Sequence, residues 1–213
     1  MFIDFFVVNK NFHEAKCPIM DKMDSDKRAA LEQRRRQLQI RQEAQAFMQS
    51  DVEPALEILS LLQRRGVIYK IVQMLHVKED WKETVADALS QPPYTTYGFE
   101  AGHLKDQGIR ALLESLFELY PSTNSLRYVP SLEKHVPQGL QQLVNELGLV
   151  HQKVYVYYLS YAFVLELQLH DLVKYANADT FNFWHGDALI FSNDLSWLIA
   201  YSLEEEWYGG RVQ

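Results

Sequence analysis

The chain has 213 residues, of which 47% are hydrophobic and 23% are charged, and its formal net charge is -7. These proportions are typical of a globular protein and exclude a disordered chain. The negative charge disfavours nucleic acid as a general partner. The one cysteine, Cys17, excludes an intramolecular disulfide. Because thiols stay reduced in the cytoplasm, we expect a cytoplasmic protein.

The sequence predicts neither an export signal nor a membrane span. The segment FIDFFVV near the start lacks the basic leader and the small-residue cleavage site of a signal peptide. We interpret it as a short strand, or as sequence upstream of a start at Met20 or Met23, and residues 1–23 as an N-terminal extension. The mostly apolar run 154–165 stops at Glu166, short of the roughly 20 residues that cross a bilayer. We therefore expect no membrane as partner.

Residues 24–150 show mainly the apolar period of helices. Ser25 or Asp26 is a candidate N-cap for an Arg-rich outer helix with a narrow apolar stripe. A second helix follows Ser50 or Asp51 and ends at Gly66. Further helices are predicted over 78–91, 103–120 and 137–147. The apolar spacing in 67–75 favours another helix, with a strand as the alternative because β-branched residues are frequent there.

Residues 151–213 change to the period of strands. Leu165 and Leu167 alternate with Glu166 and Gln168, which predicts a strand with one wet face, and the same alternation is extended to His170. The preceding KVYVYYLSYAFV is expected to supply a mostly buried strand. Two further β-rich segments, 181–192 and 195–209, flank Asn193 and Asp194, a pair that suits a hairpin turn.

The motifs of several enzyme classes are missing: the chain has no GxGxxG, GxxxxGK[ST], HExxH, CxxC or GxSxG. We expect no catalytic residues, no cofactor and no metal, since the histidines show no ligand spacing. The most chemical cluster is Trp184, His185 and Asp187, with His170 one segment earlier. Together with Asp171, these residues could ligate a metal or act as a general acid and base, or they could be solvated polar residues at a strand end.

Charge is distributed unevenly along the chain. Residues 151–213 contain eight acidic and three basic side chains, which leaves five net negative charges on the predicted sheet. Glu204 and Glu206 are expected to share one side of the last strand. An acidic surface of this kind would attract a basic partner, although it could equally serve solubility.

The C-terminal stretch GDALIFSNDLSWLIAYSLEEEWYGG resembles the closing hairpin of small immunity proteins from bacterial polymorphic toxin systems. The matching residues are Asp194, Ser196, Trp197, Trp207, Tyr208 and Gly209. The resemblance implies a protein that is not an enzyme and that binds and blocks a toxin.

Together these observations predict an α+β protein, with an N-terminal helical bundle (24–150) packed on a C-terminal antiparallel β-sheet (151–213) in one compact domain. The leading hypothesis is an immunity-type binding protein whose partner is a basic protein toxin. The predicted binding residues are Trp184, His185, Asp187, Asp194, Trp197, Glu204, Glu206, Trp207 and Tyr208. One alternative is an enzyme or ligand-binding domain with a pocket between helices and sheet near His170, His185 and Asp187. Another is a nucleic-acid-associated regulator that uses the Arg-rich helix.

Overall fold

The computed structural model describes residues 18–119, 127–129, 136–176, 188–201 and 207–211, and it describes side chains over 25–115, 139–175, 188–201 and 207–211. The chain divides into two compact units, Met1–Ile40 and Arg41–Gln213.

The described residues form six α-helices. They are α1 (Pro18–Phe47), α2 (Leu56–Arg64), α3 (Lys82–Leu89), α4 (Ile109–Leu119), α5 (Val136–Glu146) and α6 (Leu169–Ala176). Helix α1 begins at Pro18, so the predicted N-cap at Ser25 or Asp26 is wrong; proline is well tolerated in a first helical turn. The predicted cap at Ser50 or Asp51 is also wrong, because a π-helical turn (Met48–Val52) and a 3₁₀ turn (Glu53–Ala55) connect α1 to α2.

The first unit is described over its helical residues alone. Every side chain from Ser25 to Gln39 is exposed, including Leu31 and Leu38. This exposure agrees with the narrow apolar stripe of the sequence, which cannot bury one face of the helix.

The second unit contains a seven-stranded antiparallel sheet. Its strands are β1 (Tyr69–Met74), β2 (Arg127–Val129), β3 (Lys153–Tyr158), β4 (Phe163–Gln168), β5 (Ala188–Phe191), β6 (Trp197–Tyr201) and β7 (Trp207–Arg211). Their order across the sheet is β1-β4-β3-β5-β6-β7-β2. The α+β class and the C-terminal antiparallel sheet are therefore confirmed, and two strands from the mainly helical segment complete the sheet at its edges.

Strand β1 corrects the helix predicted over 67–75. Ile71 lies opposite Leu165 on β4, and a β-bulge follows between Ile71 and Gln73. The bulge inserts one extra residue, so the adjacent Ile71 and Val72 are both buried. This break in the strict alternation produced an apolar spacing that looks helical, while pairing with β4 stabilises the extended form.

Helices cover both faces of the sheet. On one face, Ile109 and Leu113 of α4 pack on a cluster that includes Val164, Leu189 and Leu198. On the other face, α5 approaches β7, where Gly139 lies against the Trp207 indole. The largest fully buried side chains include Trp197, Trp207 and Tyr201, which line this second face.

Three predicted boundaries are corrected. Strand β4 ends at Gln168 and α6 takes Leu169 and His170, so the predicted alternation holds only as far as Gln168. Helix α4 begins at Ile109 rather than at 103, after Gly108 in a left-handed conformation. The segment 195–209 forms two antiparallel strands, with Tyr201 opposite Trp207, rather than one. The predicted hairpin at Asn193 and Asp194 is confirmed by the pairing of β5 with β6.

Candidate functional site

At one end of the sheet face that carries α4, the described side chains are exposed or half-buried, and they form a surface that we name the open sheet face. Directly paired residues of adjacent strands point to the same side of a sheet. The register places Tyr155 and Lys70 opposite Glu166, and Lys153 opposite Gln168. The open sheet face therefore consists of Lys70, Lys153, Tyr155, Glu166 and Gln168.

An ion pair and an aromatic ring lie at the centre of this surface. Lys153 Nζ lies 2.9 Å from Glu166 Oε1, and this hydrogen bond raises the pKa of Lys153. Tyr155 is half-buried, with its ring centroid 5.5 Å from that of Phe191. Burial, reinforced by the charge of Glu166, raises the pKa of Tyr155, so its hydroxyl stays protonated at neutral pH and can donate a hydrogen bond.

Two hollows adjoin on the open sheet face. One, of about 330 Å³, is bounded by Tyr155 and Asn193, and the other, of about 460 Å³, extends to Ile68; Lys153 and Glu166 line both. Ile68 is 83% exposed, the highest value among the large exposed hydrophobic side chains that the structure describes. The two hollows thus lie side by side across β1, β4 and β3, and an apolar side chain lies at the margin of the larger one.

A second recess, which we name the His76 cleft, lies between α4 and the ends of β1 and β3. It has a volume of about 370 Å³, and its lining includes Leu75, His76, Lys78, Arg110, Leu113 and Tyr157. His76 Nε2 lies 2.9 Å from the Tyr157 hydroxyl oxygen. Burial and the charge of Asp51 raise the pKa of Tyr157 to about 12.

A third recess contains His170, one of the residues proposed for a pocket between helices and sheet. The rings of His151 and His170 lie 5.3 Å apart, edge to face, in a groove of about 320 Å³ between α5 and α6. His170 Nε2 also lies 3.2 Å from Asp171 Oδ1. His185 and Asp187, the other residues of that prediction, lie outside the described residues.

Asp194 has a structural position in the β5–β6 turn. Its Oδ1 accepts hydrogen bonds from the Ser192 hydroxyl at 2.6 Å and from the Ser196 backbone N–H at 3.1 Å. The hydroxyl bond and then the Ser196 donors lower the pKa of Asp194 to about 2. The following residue, Leu195, is held at a φ of 53°. Asp194 and Ser196 of the immunity-like motif thus build the turn itself.

Trp197 and Trp207, which were predicted to bind a partner, are instead core residues. Their exposed fractions are 2% and 0%, and the Trp207 ring packs 4.8 Å from that of Tyr201. A buried indole offers no surface to a partner, so this part of the binding-site prediction is wrong for the folded protein. Tyr208 is half-buried on the same face as Tyr155 and stays a candidate.

The acidic part of the binding-site prediction falls mainly on residues that the structure does not describe. Trp184, Glu204 and Glu206 lie outside the described residues, as do His185 and Asp187. On the open sheet face itself, Lys70 and Lys153 accompany Glu166, so this described surface is of mixed charge. The prediction of an acidic sheet surface therefore stays a prediction.

The arginines of α1 are accessible but do not converge. Arg28, Arg34, Arg35, Arg36 and Arg41 are all exposed. Because consecutive residues point about 100° apart around a helix, the three adjacent arginines face different directions. They form no flat basic surface of the kind that grips a nucleic-acid backbone.

The sequence analysis did not identify the residues that form the open sheet face and the His76 cleft. Tyr155 and Tyr157 lie in a segment expected to be mostly buried, and which part of that face is covered depends on packing with residues far away in sequence. Lys153, Tyr155 and Tyr157 do alternate, which was the available signal. His76 and Arg110 carry no local motif, because their proximity arises from the packing of α4 beside β1.

Within the described part of the chain, no helix has the length and apolarity needed to cross a membrane. In that same part, no three His, Cys, Asp or Glu side chains come together as metal ligands. No protein-family model, curated protein or solved structure matches this chain.

Proposed function

We propose that this protein binds another protein through the open sheet face. The observation that carries the proposal is the half-buried Tyr155 beside the Lys153–Glu166 ion pair, in a part of the sheet face where the described side chains are exposed or half-buried. A tyrosine held on a strand offers a large contact area at a small cost in side-chain entropy, and tyrosine is enriched at interface hot spots.

The form of the surface favours a protein over a small molecule. Its two hollows extend over three strands and share Lys153 and Glu166, so neither is a separate enclosed pocket. Ile68 at the margin would lose most of its exposure when covered. Protein interfaces commonly combine such an apolar and aromatic centre with a polar rim.

For the partner, we propose a basic protein toxin that this chain neutralises. Support comes from the resemblance of the C-terminal hairpin to immunity proteins and from the net charge of -7. The charge acts over the whole molecule and would speed encounter with a basic partner. The mixed charges of the open sheet face would then fix the orientation of the complex.

Photo-crosslinking in native cells tests the location of the interface. A benzophenone amino acid at position 155 is expected to crosslink to one protein, which mass spectrometry identifies. The matched control carries the same group at the exposed Gln142 on α5. Equal capture at both positions would contradict an interface on the open sheet face.

Binding of the identified protein then tests the energetics and the partner class. Tyr155→Ala is expected to raise Kd at least about tenfold, whereas Tyr97→Ala, which removes another half-buried tyrosine, should leave Kd unchanged. Expression of the captured protein alone should arrest growth, and this chain should restore it. A harmless captured protein would reject the immunity role while leaving the binding surface intact.

A further inference from the structure

The His76 cleft has the size and the floor of a small-molecule site. Its volume of about 370 Å³ falls within the range in which proteins hold small ligands. Leu75 and Leu113 form an apolar floor, and both are only 4% exposed. Because these two side chains are already packed, the floor offers a ligand van der Waals contact rather than a large apolar area to cover.

The two basic side chains of the cleft, Lys78 and Arg110, differ in whether they already have a charged partner. Lys78 Nζ lies 3.4 Å from Glu43 Oε2 and 4.1 Å from the centre of the Trp81 ring. Arg110 makes no ion pair or hydrogen bond through its side chain with any residue that the structure describes. Its guanidinium is therefore the cation at the cleft that is available to an incoming anion, which it can bind through two parallel hydrogen bonds.

His76 and Tyr157 supply polar groups on the opposite side of the opening. His76 has a φ of 61°, a left-handed conformation that is uncommon for residues other than glycine. This backbone conformation accompanies the 2.9 Å hydrogen bond between its imidazole and the Tyr157 hydroxyl. This hydrogen bond holds the imidazole and the phenol together at the cleft.

The remaining lining residues do not oppose an anion strongly. Glu114 supplies the one acidic side chain among the lining residues, and it is exposed to solvent one turn of α4 beyond Arg110. Counted with Glu43, the partner of Lys78, the acids equal the two cations in number, so anion binding depends on the guanidinium of Arg110 rather than on net charge. A neutral molecule would use the apolar floor but would leave the guanidinium without a partner.

We infer that the His76 cleft binds a small organic anion, whose carboxylate or phosphate group contacts Arg110 while its apolar body lies on Leu75 and Leu113. This site shares no residue with the open sheet face. Its occupation is therefore a separate property from the proposed binding of a protein.

Nuclear magnetic resonance titration of the full chain tests the inference with defined probes. Benzoate, hexanoate and phenyl phosphate are the anions, and benzamide is the neutral analogue of benzoate. We expect at least one anion to shift the amide signals of Val77, Arg110 and Leu113 saturably, and benzamide to bind at least about tenfold more weakly. The comparison of carboxylates with phenyl phosphate identifies the preferred head group. No saturable shift with any of the three anions would overturn the inference.

Two variants and one control localise the binding. Arg110→Gln is expected to raise Kd at least about tenfold, whereas Arg64→Gln, at an exposed arginine of α2, should leave it unchanged. His76→Gly removes the imidazole at a backbone conformation that suits glycine, so the fold is retained and Kd should rise several-fold. Unchanged affinity in Arg110→Gln, or equal affinity for benzamide and benzoate, would refute a site for anions.

Discussion

The contact between α5 and β7 leaves no room for a side chain at Gly139. A Cβ added at this position would lie 2.9 Å from Cγ and 3.0 Å from Nε1 of Trp207, and closer still to Cδ1. Carbon atoms in contact prefer separations of about 3.5–4.0 Å. Trp207 is fully buried, so its indole cannot move toward solvent to relieve the clash. Gly139→Ala should therefore destabilise the protein although alanine favours helices.

The size of the effect follows from two opposing contributions. Replacing a helical glycine with alanine stabilises by about 0.5–1 kcal/mol. Overpacking a filled core costs about 1–3 kcal/mol. The difference is about 0–2.5 kcal/mol, and the close approach to Cδ1 favours the upper part of this range. We therefore expect Gly139→Ala to lower the free energy of unfolding by about 1–2.5 kcal/mol, which for a chain of this size corresponds to a fall in Tm of about 2–10 °C.

Urea and thermal denaturation followed by circular dichroism measure this change. The control is Gly102→Ala, because an added Cβ at Gly102 meets no atom within 4 Å. Replacing Trp207 with leucine should remove most of the clash, so a double-mutant cycle should show a favourable coupling between Gly139→Ala and Trp207→Leu. A Gly139→Ala protein as stable as the Gly102→Ala protein would show that α5 does not pack on Trp207 in this way.

Three further predictions concern hydrogen bonds. Burial lowers the pKa of His103 below its ordinary 6.5, and its Nδ1 accepts the Glu100 N–H at 3.1 Å. The unfolded chain therefore binds this proton at a higher pH than the folded chain, and the free energy of unfolding should fall as the pH drops through about 6.5. In urea melts over a pH series, His103→Gln should show a smaller fall over this range. The pKa of Asp194 is lowered to about 2, so the ionised carboxylate stabilises the fold fully above about pH 4, and this contribution is lost as the pH falls toward 2. Thermal melts of Asp194→Ala should therefore lack this acid-dependent loss. The Tyr94 hydroxyl donates to Glu53 at 2.9 Å, so Tyr94→Phe should cost about 1 kcal/mol in urea denaturation, and an unchanged midpoint would show that water replaces this bond equally well.

The sequence predicted the elements whose signals are local. Strand β4 alternates because one face packs inward, and Leu165 and Leu167 are buried while Glu166 and Gln168 are half-buried. The turn at Asn193 and Asp194 depends on short-range hydrogen bonds, which residue types reveal directly. Both features are fixed by neighbours a few residues away.

The elements that the sequence did not predict depend on distant partners. Strand β1 owes its extended form to pairing with β4, and its bulge obscured the two-residue period. The same limit applies to the sites, since the exposure of Tyr155 depends on packing with distant residues such as Leu112 of α4. Trp197 and Trp207 were predicted as binding residues, but both are buried in the core. Aromatic residues are common both in interfaces and in cores, and composition does not distinguish the two.

The order of strands has a consequence for how the sheet is protected during folding. The strands from β3 to β7 pair with partners that are near in sequence, but the outer strands β1 and β2 must reach β4 and β7 across long stretches of chain. Such distant pairings are slow because closing long loops costs entropy. Until they form, β4 and β7 present bare edges on which another chain can add a strand. A fragment that begins at residue 151 would retain the central strands but lose the edge strands β1 and β2. We expect it to self-associate through the exposed edges of β4 and β7.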